Sequence, residues 1–560
     1  MRWRRGGQQV DRERDVRQHG HRVLPGEHDG GGRRGAGGAR SGGGRVNGPD
    51  GPVRVHGHCR LDENAVRVAL REGRAERLVG TGGAFVIVAR GADEDVIVSS
   101  RSVAVAYHHG RTEPGPAEHG RRLADVAATL PFAWNHRAVA DFLLYAHPLG
   151  DDTFHPGVRL VPPGSVSTTR GDGRLESRPA PEPDPAEPDA NAAVRALVDA
   201  VRGDAGPECG LSMSGGLDSR VLLAALLRLG HRPTLFVSGV PGSFDREVAS
   251  AIARRYDLPL VVTRVEARTL LDGSLDGDAP GIGLLPLTGR AGLEHLRVAA
   301  GDHGTPILLG VGGEYARGYY AAGRGLSALR QAAWPGRRAI EIVTRRYPVP
   351  LTPRELEMVH PALRDALHPE AVRDRVASTL RGSGSALDRS DEFFLTQYAR
   401  HKISAELASL DGHVRWRAPF LDPGWVGAVR ALPRRWKLGS RLHRYCVARL
   451  WPSLLEFPEA GSRAGTLARR PPPAYWLTGT RQPPGPHYLD QRGFRSGPLV
   501  DLVREYRDSL EDLVQPELID TLAAGQAAEG RRPHLTFGLL ALGLYRRRVR
   551  RIARDHRAVS

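Results

Sequence analysis

The chain has 560 residues, room for two or three domains with sizeable cores, and its 40% hydrophobic content is diluted by 68 Gly and 42 Pro. Cys59, Cys209 and Cys446 are far apart and form no C-x-x-C pair, which excludes a disulfide framework and a structural zinc site, and no run reaches the roughly 18 to 20 apolar residues of a membrane span. Most of the net charge of +17 lies at the two ends, where residues 1–50 carry 11 Arg against 6 Asp and Glu and residues 541–560 carry 7 Arg against 1 Asp; with Lys402 and Lys437 the only lysines, this is a coding bias towards arginine and not the mark of a nucleic-acid patch.

Residues 1–52 are rich in Gly, Arg and His without periodicity and are expected to be a disordered extension; a start codon chosen too far upstream would look the same. Residues 53–177 read as a first domain. Ala84–Val88 and Val96–Val98 flank the polar turn Gly-Ala-Asp-Glu-Asp as in a hairpin, a helix is expected around Val139–Tyr145, and Val158–Gly164 runs from apolar residues into a turn. Residues 178–192, opening with RPAPEPDPAEPDA, form a stiff, extended linker.

Residues 193–560 then alternate strand and helix, the pattern of a parallel α/β sheet. Cys209–Met213 reads as a strand, followed by a helix whose apolar positions Val221, Leu222, Ala225, Leu226 and Leu229 end at Gly230. Thr234–Ser238, Leu260–Thr263 and Pro306–Leu309 are three more strands, with a helix over Asp245–Tyr256, and from about Leu351 the pattern is helical. Phe537–Tyr545 runs into Arg546, Arg547, Arg548, Arg550 and Arg551, which reads as a buried C-terminal helix with a wet basic end. The N-terminus lacks the apolar core of a secretory signal, so the cytoplasm is the default compartment.

The chemistry concentrates at two turns. Between the first strand and helix of the sheet stands LSMSGGLDSR, residues 211–220. Ser214, Gly215, Gly216, Leu217, Asp218 and Ser219 join a strand to a helix N-terminus through small, hydroxyl-rich residues, a ready anion site whose natural guest is a phosphate chain. Asp218 fits such a site if a magnesium ion stands between it and the phosphates; the alternative is a carboxylate that merely caps the helix. A serine-hydrolase elbow fails because Ser214 fills the last glycine place of G-x-S-x-G.

In an open parallel sheet the turns beyond the strand ends face one another. After Thr234–Ser238 come Ser238 and Gly239, small enough to admit a base or ribose. After Pro306–Leu309 comes Gly310-Val311-Gly312-Gly313-Glu314-Tyr315-Ala316-Arg317. Tyr315 at the third glycine place excludes a dinucleotide fingerprint, and no lysine follows a glycine as in a Walker loop. Glu314 and Asp218 are a candidate metal pair, Gly312 and Gly313 candidate contacts to the nucleotide, and Arg317 suits departing pyrophosphate; an ordinary glycine-rich surface loop is the bland alternative.

These motifs resemble asparagine synthetases. Ser214–Ser219 is similar to their pyrophosphate loop SGGLDS, Gly310–Tyr315 to their G-x-G-x-D-E, and Arg417-Ala418-Pro419-Phe420-Leu421-Asp422 to their R-x-P-F-L-D, with Leu432-Pro433, Lys437-Leu438-Gly439 and His443-Arg444 continuing the likeness. The chain departs from the pattern in several places. Glu314 stands at the Asp place, Tyr315 at the Glu place and Val311 where asparagine synthetases carry an acidic base; no lysine lies between Glu456 and Arg463, and no cysteine stands at position 2 for an N-terminal-nucleophile glutaminase.

The resemblance implies an α/β protein in which an N-terminal Ntn-hydrolase-like (glutaminase-like) α+β domain, degenerate here, precedes a PP-loop (adenine nucleotide α-hydrolase-like) parallel-sheet synthetase domain with a helical C-terminal part. It implies ATP and Mg2+ as cofactors, Asp218 and Glu314 on the metal, and Asp218, Glu314 and Arg317 as catalytic residues. Lys437, notable as one of only two lysines, joins them as a point charge near the phosphates, with a solvent-exposed lysine as the alternative. The implied activity is AMP-forming amide ligation of a small-molecule or peptide carboxylate with ammonia or a substrate amine, as in β-lactam synthetases and lasso-peptide cyclases, with partner proteins from a biosynthetic cluster. Ordinary asparagine synthetase and a non-catalytic binding subunit are the other readings.

Overall fold

Alternation of apolar side chains lays down the first sheet. In the computed structural model, β1 (Val53–Cys59), β2 (Gly83–Ala89), β3 (Asp95–Ser99), β7 (Ser165–Thr169) and β8 (Leu175–Pro179) pair antiparallel in the order β1-β2-β3-β7-β8. Strand β2 is buried along its whole length because its two faces serve two cores. Phe85, Ile87 and Ala89 pack with Val66 and Leu70 of α1 (Glu63–Arg71) and Leu78 and Val79 of α2 (Ala75–Val79), while Ala84, Val86 and Val88 join the main core. A second sheet, β5-β4-β6, uses β4 (His108–Arg111), β5 (Ala117–Gly120) and β6 (Val158–Leu160), with helices α3 (Leu123–Ala128) and α4 (His136–Tyr145) between. The description covers residues 51–559 apart from 93, 112–116, 264–292, 294, 298–303, 321–329, 332, 348, 350, 460–497 and 530–532, so nearly all of the expected extension at residues 1–52 lies outside it, as does Arg463.

The expected hairpin is β2 and β3. The linker is shorter than expected at its N-terminal side: Arg178 and Pro179 belong to β8, where they pair with Val166 and Ser165, and Ala180 is buried. Proline is tolerated there because β8 is an edge strand. Helix α5 (Ala190–Asp204) starts where Asp189 caps it through bonds from the N–H groups of Asn191 and Ala192.

The second sheet system is fully parallel, in the order β11-β10-β9-β12-β13, from β9 (Gly210–Ser212), β10 (Thr234–Ser238), β11 (Leu260–Thr263), β12 (Pro306–Leu308) and β13 (Arg415–Arg417). From β9 the chain runs outward through α6 (Leu217–Arg228), β10 and α7 (Phe244–Tyr256) to β11, then returns to β12 on the other side of β9. The switch point therefore lies between β9 and β12, and the turns leaving those two strands border one crevice. Strand β13 falls inside the stretch expected to be helical; its three residues, two of them arginine, are too few to show a period, and pairing with β12 decides their conformation.

The C-terminal helix, Pro533–Val559, packs back on α3 and α4 of the first domain, with Tyr545 5.9 Å from Trp134 and 5.3 Å from Phe154 between ring centroids. Its basic end is less wet than expected. Arg546 and Arg548 are buried, Arg546 pairs with Asp512 at 2.6 Å and Arg547 with Glu505 at 2.9 Å. No helix among the described residues is long and apolar enough to cross a membrane.

Arg60, just beyond β1, clasps the two halves. Its Nη2 stands 3.0 Å from Asp204 of α5 and 2.8 Å from Asp422, the cap of the helix Pro423–Ala431. Burial pushes the Asp204 carboxyl up from its ordinary 3.8, with Arg60 opposing. Removing the cation while leaving the buried carboxylates costs about 3–5 kcal/mol. Arg60→Met should therefore lower the melting temperature at pH 7 by several degrees. Because the raised carboxyl of Asp204 takes up a proton as pH falls, the deficit should shrink towards pH 4.

Candidate functional site

Residues 214–219 form the tight turn from β9 into α6. Ser219 Oγ accepts from the Ser214 N–H at 3.1 Å and donates to the Ser214 carbonyl at 3.2 Å, and the Gly216 N–H donates to Ser214 Oγ at 3.2 Å. Gly216 is the N-cap of α6 without any side-chain cap, so the alternative of Asp218 as a capping residue is corrected: its carboxylate points across the crevice. The first-turn N–H groups of α6 lack helical partners and are oriented as in an anion site.

Glycine is required in the turn by neighbours. A methyl on Gly215 would stand 2.2 Å from the Phe244 ring, because the start of α7 closes on the loop, and the Gly215 N–H donates to Asp245 Oδ1 at 2.7 Å. Asp245 was not singled out in the sequence, and it engages one amide of the turn. Arg220, wholly buried, braces the loop from behind by donating to the Gly215 carbonyl at 2.9 Å and to the carbonyls of Phe457 and Pro458. Ser238 ends β10 in register with Thr263, and Gly239 follows with Ser243 so close that a methyl would meet its Oγ at 2.2 Å.

The turn after β12 presses on Asp218. A methyl on Gly313 would lie 2.5 Å from Asp218 Oδ1, and one on Gly310 3.2 Å from Asp218 Cβ. Gly312 has φ of +85° and its missing methyl would strike Leu421, so the RAPFLD segment sets the turn from below. Residues 313–317 then wind into a 3-10 turn carrying Glu314 and Arg317.

Asp218, Glu314 and Arg317 thus meet in one place. Arg317 Nη2 donates to Asp218 Oδ2 at 2.8 Å and lies 3.8 Å from Glu314 Oε1. A fourth member, His443, presents Nε2 2.9 Å from Asp218 Oδ1 with its side chain fully buried against Phe420. Sequence reasoning found His443 only as part of the family string, since nothing in its spacing marks it as a partner of Asp218. Burial pushes the Asp218 carboxyl up, but Arg317 and His443 outweigh it and hold it below the ordinary range. The Glu314 carboxyl is pushed up by burial and by Asp218, with Arg317 opposing. Glu314 Oε2 is buried without a hydrogen-bond partner. Two hard oxygen donors from adjacent turns, one of them unsatisfied, suit a magnesium ion that takes its remaining ligands from phosphate and water. Among the described residues no cluster of three or more protein donors forms a metal cage.

Lys437 does not join this group. Its ammonium is buried, 3.2 Å from Asp391 and 4.3 Å from the centroid of Tyr315, so Asp391 and the ring hold it beneath the turn. This corrects its reading as a point charge among the phosphates; it lies against the ring of Tyr315, whose hydroxyl donates to Glu392 at 3.1 Å. A cavity of about 40 Å³ beside His108, His147 and His401 contains none of the cluster and lacks a phosphate-holding turn.

Residues 193–456 match the family model of asparagine synthase. That segment is similar to asparagine synthases. No curated protein matches the chain. The matched segment holds both turns, the RAPFLD segment and His443, and the family's general activity is ATP-dependent amide ligation. Gly313→Ala should weaken ATP binding by about tenfold or more at a stability cost of about 1–3 kcal/mol, because the new methyl displaces the Asp218 carboxylate; equilibrium nucleotide binding and thermal melting measure the two effects.

Proposed function

We propose that the chain activates a carboxylate as an acyl-adenylate and passes the acyl group to an amine supplied by the substrate or by free ammonia. The observation that carries this reading is the meeting of Asp218 and Glu314 from turns on either side of the switch point, beside the first-turn amides of α6. Asp218 and Glu314 would hold the magnesium ion, which neutralises charge on the phosphate oxygens. One oxygen of the substrate carboxylate attacks the α-phosphorus, the bond to the β-phosphate oxygen breaks, and pyrophosphate leaves. The amine nitrogen then forms the bond to the acyl carbon, the acyl–oxygen bond breaks with its electrons on AMP, and the amine proton passes to solvent.

This chain's part in those steps is placement. The amides of residues 217–219 at the start of α6 orient the phosphates, Asp245 and Arg220 fix the loop, and Arg317 stands where it can follow the departing pyrophosphate. Cys59 argues against glutamine as the amine source. It is the last residue of β1, held in register with Gly83 of β2, and burial pushes its thiol up. A substrate amine makes a ring-closing reaction of the β-lactam or lasso-peptide kind the natural biosynthetic role.

ATP–pyrophosphate exchange tests the proposal. Wild type should show exchange that depends on a carboxylate, falling about 10³-fold in Asp218→Ala and about 10²-fold in Glu314→Gln. Exchange with aspartate alone points to asparagine formation, and no exchange with any carboxylate points to a binding subunit.

A further inference from the structure

Only two of the 80 cationic side chains are lysines, and both adjoin the rings around the 313–320 turn. Lys437 is taken up beneath it. Lys402 stands on the helix that continues Ala386–Phe393 through a wider π-helical stretch, Phe394–Ile403, into Ser404–Ala408. Such widened turns recur at functional sites, and this one sets Tyr398 and Lys402 one helical turn apart on a common face.

Lys402 Nζ donates to Tyr398 Oη at 2.6 Å and pairs with Glu406 Oε1 at 3.3 Å. An ammonium has three N–H donors, so one remains, on a side chain that is 19% exposed. The surroundings are phenolic. Tyr319, two residues beyond Arg317, packs tilted against Tyr398 with ring centroids 4.9 Å apart, and its hydroxyl is 3.4 Å from that of Tyr347. Arg346 lies over the same rings, 4.2 Å from the Tyr319 centroid and 6.0 Å from that of Tyr347, and donates to the Tyr319 carbonyl at 3.1 Å. This wall follows directly on the 313–317 turn that carries Glu314 and Arg317. Tyr319, Tyr347, Tyr398, Lys402 and Glu406 are all partly exposed, as the lining of a crevice is.

We propose that Lys402 receives the carboxylate of the acyl donor, with Tyr398 and Glu406 holding its ammonium in place and the Tyr319 and Tyr347 hydroxyls lining the approach to it. A carboxylate brought next to Glu406 needs a positive partner there, and the third N–H of a compact ammonium reaches a single oxygen. This inference rests on the adenylation reading above and adds to it the residue that selects and positions the acyl group.

The test uses the full chain in ATP–pyrophosphate exchange with each of the twenty amino acids and with phenylacetate, followed by kinetics on the best carboxylate. Lys402→Met should raise the carboxylate KM by about 10- to 100-fold, the loss of one charged hydrogen bond, while the ATP KM stays within about twofold; Lys402→Arg should recover part of the loss. Tyr398→Phe, which removes only the hydroxyl beside Nζ, should give a smaller rise in the same KM and serves if Lys402→Met does not fold. An unchanged carboxylate KM in both, or an ATP KM that rises equally, overturns the assignment while leaving adenylation intact. A wild type silent with every carboxylate overturns adenylation itself.

Discussion

Two carboxylates in one half-buried space repel, and the site exists because the fold forces Asp218 and Glu314 together while Arg317 sits between them. The guanidinium is 2.8 Å from one and 3.8 Å from the other, and its effect is uneven: it helps hold Asp218 ionised, whereas Glu314 stays raised by burial and by its neighbour. Such an arrangement is costly as pure architecture. It makes sense where a cation and a phosphate chain complete the charge balance, and Glu314 Oε2, without a partner, shows where that completion is needed.

The rest of the molecule serves this meeting. A parallel sheet with its switch point between β9 and β12 brings the two turns to one crevice, and glycines at 310, 312, 313 and 215 let backbone approach side chain where a methyl would collide. Leu421 supports the second turn and Arg220 the first, so the RAPFLD segment and the chain at Phe457 act on the phosphate site without entering it. The antiparallel sheets are bound to this frame by Arg60 and by the C-terminal helix, which crosses back to pack on α3 and α4.

Local patterns made the sheet legible. Thr234–Ser238 and Leu260–Thr263 coincide with β10 and β11 because both are short apolar, β-branched runs between turns, and the strand, tight turn and helix at residues 210–228 follow from small residues set before a helical period. What stayed hidden was set by tertiary contact. β13 is three residues that only pairing with β12 makes a strand, β8 takes in two residues of a proline-rich run, and His443 reaches Asp218 from about 225 positions away in sequence through helix packing that no spacing rule encodes. Lys437 shows the reverse error. Its rarity drew notice, but rarity says nothing of direction, and a buried aspartate below the turn claims it.

The central claim is that Asp218 and Glu314 jointly hold one divalent cation that bridges ATP over the 214–219 turn. Mn2+ titrated into protein and ATP, with free Mn2+ read by electron paramagnetic resonance, tests it most directly in wild type, Asp218→Asn, Glu314→Gln and the double variant. Shared ligation predicts that each single change weakens the ternary complex by about 10-fold or more and that the double change costs much less than the sum of the two, as groups acting on one ion do. Wild-type affinity in both single variants, or two losses that simply add, would contradict it.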